Sequence, residues 1–440
     1  MSDQHDRNPA TRPSGSRWYR LDNAAKIYPA IRSTRHVSIF RVQAFLKHRV
    51  DPDRLQQALD RTLPRFPFLD VSLHRGLFWF YLESSKQRIR IEPDVINPIR
   101  PLSREEVRQH LFRVRYGDYH IAVEFFHALT DGYGATVFLK TLAGTYLQLC
   151  GKDVHTGHGF LDICDIPDEE EAEDAYKRFS NFRVVHRPSE SKAFHLQGTF
   201  HPGHHLRVIT GILSSQKVRE KAQELRVTVT ELLTACYLEQ IYRIQQREGF
   251  RANRPVRVSV PVNVRRFYPT RTLRNFALFA NPGIEPAYGD YTFDEILQLV
   301  HHFMRYTVTE KYLNALMCAN VEPENSWLLR LTPLPLKILA MRLVYSWTGE
   351  SRFTSSMSNL GVTDMPRGFA DHVERIDFML GPSRMNPINA GVISFGETLS
   401  ITFTSTMAEA DVEQGFFRKL VALGLQVHIL SNCLPDGHMP

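Results

Sequence analysis

The sequence predicts an α/β (α+β) protein of two lobes, each a mixed sheet with flanking helices. Three observations carry this. The chain has 440 residues, more than the roughly 100–200 that one domain usually holds. Strand-like and helix-like stretches occur in both halves, but they do not alternate regularly enough for a parallel doubly wound sheet. Several strand pairs near the C-terminus follow one another at hairpin spacing. The predicted division is a flexible polar tail over 1–17, a first lobe over 18–180 ending in an acidic connecting segment, and a second lobe over 181–440.

Each element rests on its own pattern. After the tail, 37–46 is β-branched and aromatic enough for a strand. Asp51 and Pro52 then supply an N-cap and an N1 proline, and Leu55, Ala58, Leu59 and Leu63 recur at helical spacing, so 52–64 is an amphipathic helix. Strands are expected at 78–82 and 119–126, the second ending abruptly at His127. Apolar positions 137, 138, 142, 146 and 149 make 134–150 a buried helix. The stretch 151–200 has few periodic apolar positions and reads as a connection over the surface. Next come a strand at 206–213, helices at 214–225 (capped by Ser214) and 228–246, and an alternating strand at 255–262. Helices are expected over 290–316 and 324–347, the second kinked by its prolines. Strands at 353–358, 373–380, 388–395 and 399–405 and a last helix over 411–430 close the chain.

Composition excludes several classes. With 43% hydrophobic residues, 28 Phe and 16 Tyr, the bulk of the chain has enough apolar area to fold. The net charge of +7 suggests an anionic partner. One basic run holds Arg251, Arg254, Arg257, Arg265, Arg266, Arg271 and Arg274; an acidic run spans 165–174. No zinc finger, RNA-recognition motif or basic zipper is present, so nucleic acid is not an expected partner. The most apolar stretch, 327–347, carries Arg330, Lys337, Arg342, Pro333 and Pro335, which speaks against an integral membrane segment. The N-terminus lacks the apolar core of a signal peptide. Five scattered cysteines without a CxxC fit reduced thiols in a cytoplasmic protein. There is no GxGxxG or P-loop. His301 and His302 lie on a helix with no matching carboxylate, so no metal site is expected. A monomer or weak dimer is expected.

The sharpest local feature runs from His127 through Asp131 and Gly132, between a strand end and a helix. A strand end can fix an imidazole at a cavity mouth, and Gly132 lets the backbone turn without a Cβ penalty. A histidine near neutral pKa can take a proton from a hydroxyl or amine. On spacing alone, a core histidine beside a helix cap is an equally good reading.

This HxxxDG sequence resembles the signature of the chloramphenicol acetyltransferase-like superfamily, which includes nonribosomal-peptide condensation domains, polyketide-associated acyltransferases and alcohol acetyltransferases. Two further stretches fit it in order and spacing. Pro261-Val262-Asn263-Val264-Arg265, followed by Leu273-Arg274-Asn275-Phe276, is similar to the superfamily's strand-and-arginine segment. Ser358-Asn359-Leu360-Gly361 is similar to a motif common among alcohol acetyltransferases. The resemblance spans about 20–430, through these few short motifs.

The resemblance implies two chloramphenicol acetyltransferase-like lobes with an active-site tunnel between them. It implies acyl transfer in secondary metabolism, without a tightly bound cofactor. The donor substrate would be acyl-coenzyme A or a phosphopantetheine thioester on an acyl carrier protein, and the acceptor a small-molecule alcohol or amine. His127 would be the general base. Asp131 would be structural, turned from substrate and paired with Arg265, for which Arg266 competes. Gly132 would keep the loop tight. Condensation domains usually carry two adjacent histidines, whereas Phe126 stands in the first position here, and no DFGWG of the plant branch is present. Stand-alone O- or N-acyltransferases are the nearest pattern.

Weaker expectations attach elsewhere. Ser358 or Asn359 could aim a donor at a developing oxyanion, against the plainer reading of turn residues before Gly361. The basic run could meet coenzyme A phosphates or be plain surface charge. His120 is expected on the far face of its strand. Two rival functions remain: a condensation-type, amide-forming enzyme of nonribosomal peptide or polyketide assembly, and a non-catalytic carrier-protein-binding module. Intact His127, Asp131 and Gly132 count against the second.

Overall fold

The structure, a computed structural model, describes residues 17–33, 36–181, 190–201, 205–249, 253–383 and 385–433. The tail expected over 1–17 lies outside the described residues except for Arg17, as does Arg251.

Two sheets organise the molecule. The first has five strands in the order Val373–Leu380, Ile39–Leu46, His120–Phe126, Phe112–Tyr116, Glu92–Pro93. The second runs Ala277–Ala280, Val256–Asn263, Ser355–Thr363, Ile388–Phe395, Thr398–Ser405, Arg207–Ser214, His428–Ser431, with Gly283–Ile284 added beside Val256–Asn263. Both are mixed. A small three-stranded sheet, Trp18–Arg20, Phe80–Ser84 and Val71–Arg75, flanks the first. Each large sheet has its own apolar core. Helix Gly132–Leu149 packs into one, with Phe138 and Leu142 fully buried, and helices Val229–Glu248, Phe293–Thr307 and Asp411–Ala422 pack into the other. The first sheet takes one strand from late in the chain: Val373–Leu380 pairs antiparallel with Ile39–Leu46, Ile376 opposite Ala44. The expected division near 180 therefore separates the sequence more cleanly than it separates the sheets.

Several elements depart from the sequence expectation. Val71–Arg75, Phe112–Tyr116 and Ala277–Ala280 are additional strands. Phe112–Tyr116 carries Arg113 and Arg115, both buried, because Glu124 on the neighbouring strand accepts from Arg113 Nη1 at 3.3 Å and lies 3.7 Å from Arg115 Nε. The connection over 151–200 is not a surface segment: Phe160, Tyr176 and Phe194 are buried, and Glu171 holds Arg65 through two bonds of 2.6 and 2.7 Å. The helix expected over 290–316 breaks after Thr307, where Thr309 caps a new helix, Glu310–Val321, by accepting from Tyr312 N. Thr332 and Pro333 split 324–347 into Trp327–Leu331 and Leu334–Thr348. The last helix stops at Ala422, because Gly424 turns left-handed (φ +86°) and the chain returns as strand His428–Ser431. Among the described residues no helix is long and apolar enough to cross a membrane.

Candidate active site

Strand His120–Phe126 ends inside the molecule and delivers His127 to the seam between the two sheets. His127 N donates to the Ser38 carbonyl at 2.9 Å, which fixes the strand end. The ring stacks on Tyr28, with centroids 4.7 Å apart and planes 17° off parallel, and meets Phe40 edge-on at 4.9 Å. Burial among these groups lowers the imidazole pKa, since it disfavours the charged form.

Behind the ring sits Asn275, which is buried. Its Nδ2 faces two acceptors, Asp22 Oδ2 at 3.1 Å and the His127 carbonyl at 3.0 Å. The amide oxygen is therefore the atom turned to the imidazole, with Oδ1 2.9 Å from Nδ1. This network assigns the ring proton to Nδ1 and leaves the lone pair on Nε2. Asp22 is itself wholly buried, accepts from Ala25 N at 2.7 Å and lies 3.5 Å from Arg274 Nη2. Burial raises its carboxyl pKa to about 6.

Asp131 is the N-cap of helix Gly132–Leu149. Its Oδ1 accepts from Tyr133 N at 3.1 Å and Gly134 N at 3.2 Å. Its Oδ2 accepts from Arg265 Nη1 at 2.8 Å and Phe276 N at 2.9 Å. Arg265 also donates to the carbonyls of Thr272, at 2.8 Å, and Arg274, and lies over the Tyr133 ring. Thr130 Oγ1 donates to the Leu273 carbonyl at 2.5 Å. The histidine loop is thus bonded along its length to residues 265–276 of the second sheet's side. Arg266 does not compete for Asp131; it lies over the Phe267 ring.

Gly132 is the first residue of the helix, and its φ is not left-handed. Its missing Cβ instead admits Leu360, whose Cδ2 would lie 2.4 Å from an added Cβ. The tighter position is Gly134, where a Cβ would meet the Leu273 carbonyl oxygen at 2.0 Å.

His127 lines a cavity of about 450 Å³, together with Gly132, Arg265, Ser358 and Asn359. A second cavity of about 860 Å³ shares Val37 and Ser383 with the first. Residues from both halves of the chain therefore converge on one cavity with a neighbouring chamber.

No protein-family model matches the sequence, and no curated protein sequence matches it. Solved structures do match. A starter condensation domain of rhizomide synthetase, determined in complex with C8-CoA, is similar over 92% of this chain and 94% of its own, with TM-score 0.61 and 16% identity. Trichothecene 15-O-acetyltransferase from Fusarium sporotrichioides is similar over 93% and 94%, with TM-score 0.57 and 11% identity. Polyketide synthase associated protein 5 from Mycobacterium tuberculosis is similar over 92% and 97%, with TM-score 0.56 and 15% identity. This chain has the chloramphenicol acetyltransferase-like fold.

Within that fold the remaining candidates separate. Ser358, buried in strand Ser355–Thr363, presents a hydroxyl that makes no hydrogen bond to a described residue. Asn359 is already committed: Nδ2 donates to Thr230 Oγ1 at 3.0 Å and Oδ1 accepts from Gly361 N at 2.8 Å. It shapes the irregularity where the strand shifts register between 359 and 362 and Gly361 turns left-handed (φ +76°). The basic run is not one patch. Arg257 pairs with Glu285, Arg265 with Asp131, and Arg271 with Asp168, while Arg274 is buried beside Asp22. His301 does meet a carboxylate, Glu231 at 3.0 Å, supplied by another helix. Among the described residues no group of three or more His, Cys, Asp or Glu side chains could hold a metal ion. His120 sits at the edge of the buried charge network, 2.6 Å from Asp94.

Sequence reasoning missed Asp22, Tyr28 and Asn275 as parts of the site. Asn275 stood inside a quoted motif, but nothing in its spacing pointed to a histidine 148 positions earlier. Lys140 was also missed. It lines the cavity two helical turns after Gly132, donates to the His158 and Asp364 carbonyls at 2.7 Å each, and has its pKa lowered to about 8 by burial.

Proposed function

We propose that the protein is a thioester-dependent acyltransferase with His127 as its general base. The observation that carries this is the commitment of Nδ1 to Asn275, which leaves Nε2 unprotonated beside the cavity. The acceptor hydroxyl or amine binds with its proton on Nε2 and its heteroatom against the thioester carbonyl carbon. Attack forms the new C–O or C–N bond as the proton passes to the imidazole. Collapse of the tetrahedral species breaks the C–S bond, and the imidazolium returns the proton to the leaving thiolate. No covalent acyl-enzyme is required.

The other residues support that step. Asp131 spends all its acceptor capacity on the helix cap, Phe276 N and Arg265, so its role is to hold the loop. The Ser358 hydroxyl is the donor proposed for the tetrahedral oxygen. Acyl-coenzyme A is the preferred donor, on the analogy of the similar starter condensation domain determined with C8-CoA; a carrier-bound thioester is the alternative. The scattered internal use of the basic run argues against it as a ready-made phosphate site. A cytoplasmic location with reduced thiols suits both donors.

The test is acceptor-dependent thiol release. Purified protein is given short-, medium- and long-chain acyl-coenzyme A and acyl-carrier thioesters, against a panel of alcohols and amines, with products read by mass. Release that requires an acceptor and yields its acylated mass supports the reading. No acceptor-dependent release across the panel contradicts it.

A further inference from the structure

Helix Leu334–Thr348 is apolar on both sides: inward, Leu334 is buried and Ile338 packs against the first core. Lys337, its central charge, is 1% exposed, donating to the Phe78 and Arg330 carbonyls and lying over the Trp79 ring. Leu336, Leu339, Leu343 and Trp347, spaced along one stripe of the helix, are 58%, 57%, 55% and 73% exposed. A surface helix normally pairs such an apolar inward side with a polar outward one. The short helix before it, Trp327–Leu331, extends the exposed apolar surface with Trp327 and Leu331, and Leu77 joins from the turn whose carbonyl accepts from Leu334 N. Apolar side chains scattered singly need no explanation, but a contiguous set of this size marks an interaction surface.

Charge identifies the partner. From 326 to 349 the chain has no Asp or Glu and three basic residues, of which Arg330 and Arg342 are exposed beside the stripe. Two flanking carboxylates are engaged inward, Glu324 with Lys26 and Lys177 and Glu350 with Tyr345, while Glu322 is exposed before the short helix. A two-fold pairing of this face with a second copy would bring the same basic residues together. An anionic lipid surface instead complements them, and tryptophans at both ends of an apolar stripe flanked by arginine are the pattern of an interfacial helix. At 15 residues the helix is about 22 Å long, short of the roughly 30 Å of a bilayer core, so it would lie along the surface.

We propose that the apolar face built from Trp327–Leu331 and Leu334–Thr348 docks the protein reversibly on anionic membranes. The proposal does not depend on the acyltransferase reading. The experiment is vesicle flotation, comparing phosphatidylcholine vesicles with vesicles that also contain phosphatidylglycerol, at low and high salt. The unaltered protein should float with the anionic vesicles at least about tenfold more than with phosphatidylcholine alone, and salt should reduce this. The combined variant Leu339→Ser, Leu343→Ser and Trp347→Ser should keep its melting temperature and stay at the bottom. The single variant Arg342→Gln, on the flank of the stripe, should float less well with anionic vesicles. Failure of the unaltered protein to float with either vesicle overturns the proposal, as does flotation of the triple variant at the unaltered level. A dimer in solution that the triple variant dissociates, without vesicle binding, assigns the face to a second copy instead.

Discussion

Asn275 bonds His127 twice, accepting from Nδ1 at 2.9 Å and donating to its carbonyl at 3.0 Å. One amide thereby sets both the position of the strand end and the tautomer of the ring. Because its nitrogen is also held by Asp22, the amide cannot turn over without facing two acceptors with an oxygen.

Asn275→Ala should therefore reduce kcat by roughly 10²-fold, since an unheld imidazole samples the wrong tautomer. The acceptor removed is one that favours the charged ring, so the rise of kcat/KM with pH should move to lower pH. Rate-pH profiles check this. A loss of rate with an unmoved limb would assign Asn275 a packing role only.

Asp131 and Arg265 each have a side chain only 8% exposed. Breaking a buried pair leaves an uncompensated charge, so Asp131→Asn and Arg265→Ala should each lose about 3–5 kcal/mol. The double variant should lose clearly less than the sum. Chemical denaturation of all four proteins gives the coupling, and strict additivity would contradict the pairing.

Asp22 makes stability pH-dependent in an unusual direction. Its folded pKa of about 6 lies above the ordinary 3.8, so between these values the folded state holds the proton more tightly. Its contribution is full below about pH 4 and is lost as pH rises through 6. A shift of about two units corresponds to roughly 3 kcal/mol. The stability of the unaltered protein minus that of Asp22→Asn should fall by about this amount between pH 4 and 7.5. A flat difference would contradict a raised Asp22.

The glycines of the loop separate by what faces them. An alanine Cβ at 134 would press on the Leu273 backbone, while at 132 it would press on the mobile end of Leu360. Gly134→Ala should cost about 1–3 kcal/mol and Gly132→Ala less. Thermal melts give the order, and equal losses would contradict the explanation.

Much of this was legible in the sequence, for local reasons. Asp51 with Pro52 announced its helix, and the alternation of 255–262 announced its strand, because capping and pleat are written in neighbouring residues. Strand Phe112–Tyr116 was not legible, since its inward arginines depend on Glu124, which only the sheet brings opposite. Helix Leu334–Thr348 was found, but the burial of Lys337 on it depends on Trp79 and Phe78 receiving that side chain. At the site, His127 and Asp131 were marked by their spacing. Asp22, Tyr28 and Asn275 were not, because they reach the histidine only through tertiary packing.

The central claim is that His127 Nε2 removes the acceptor proton. The direct measurement is kcat for acyl transfer by His127→Ala beside its thermal melt. The account predicts a loss of about 10²–10⁴-fold with the melting temperature within a few degrees of the unaltered protein. Activity within about tenfold of the unaltered protein, in a variant that melts normally, would contradict it.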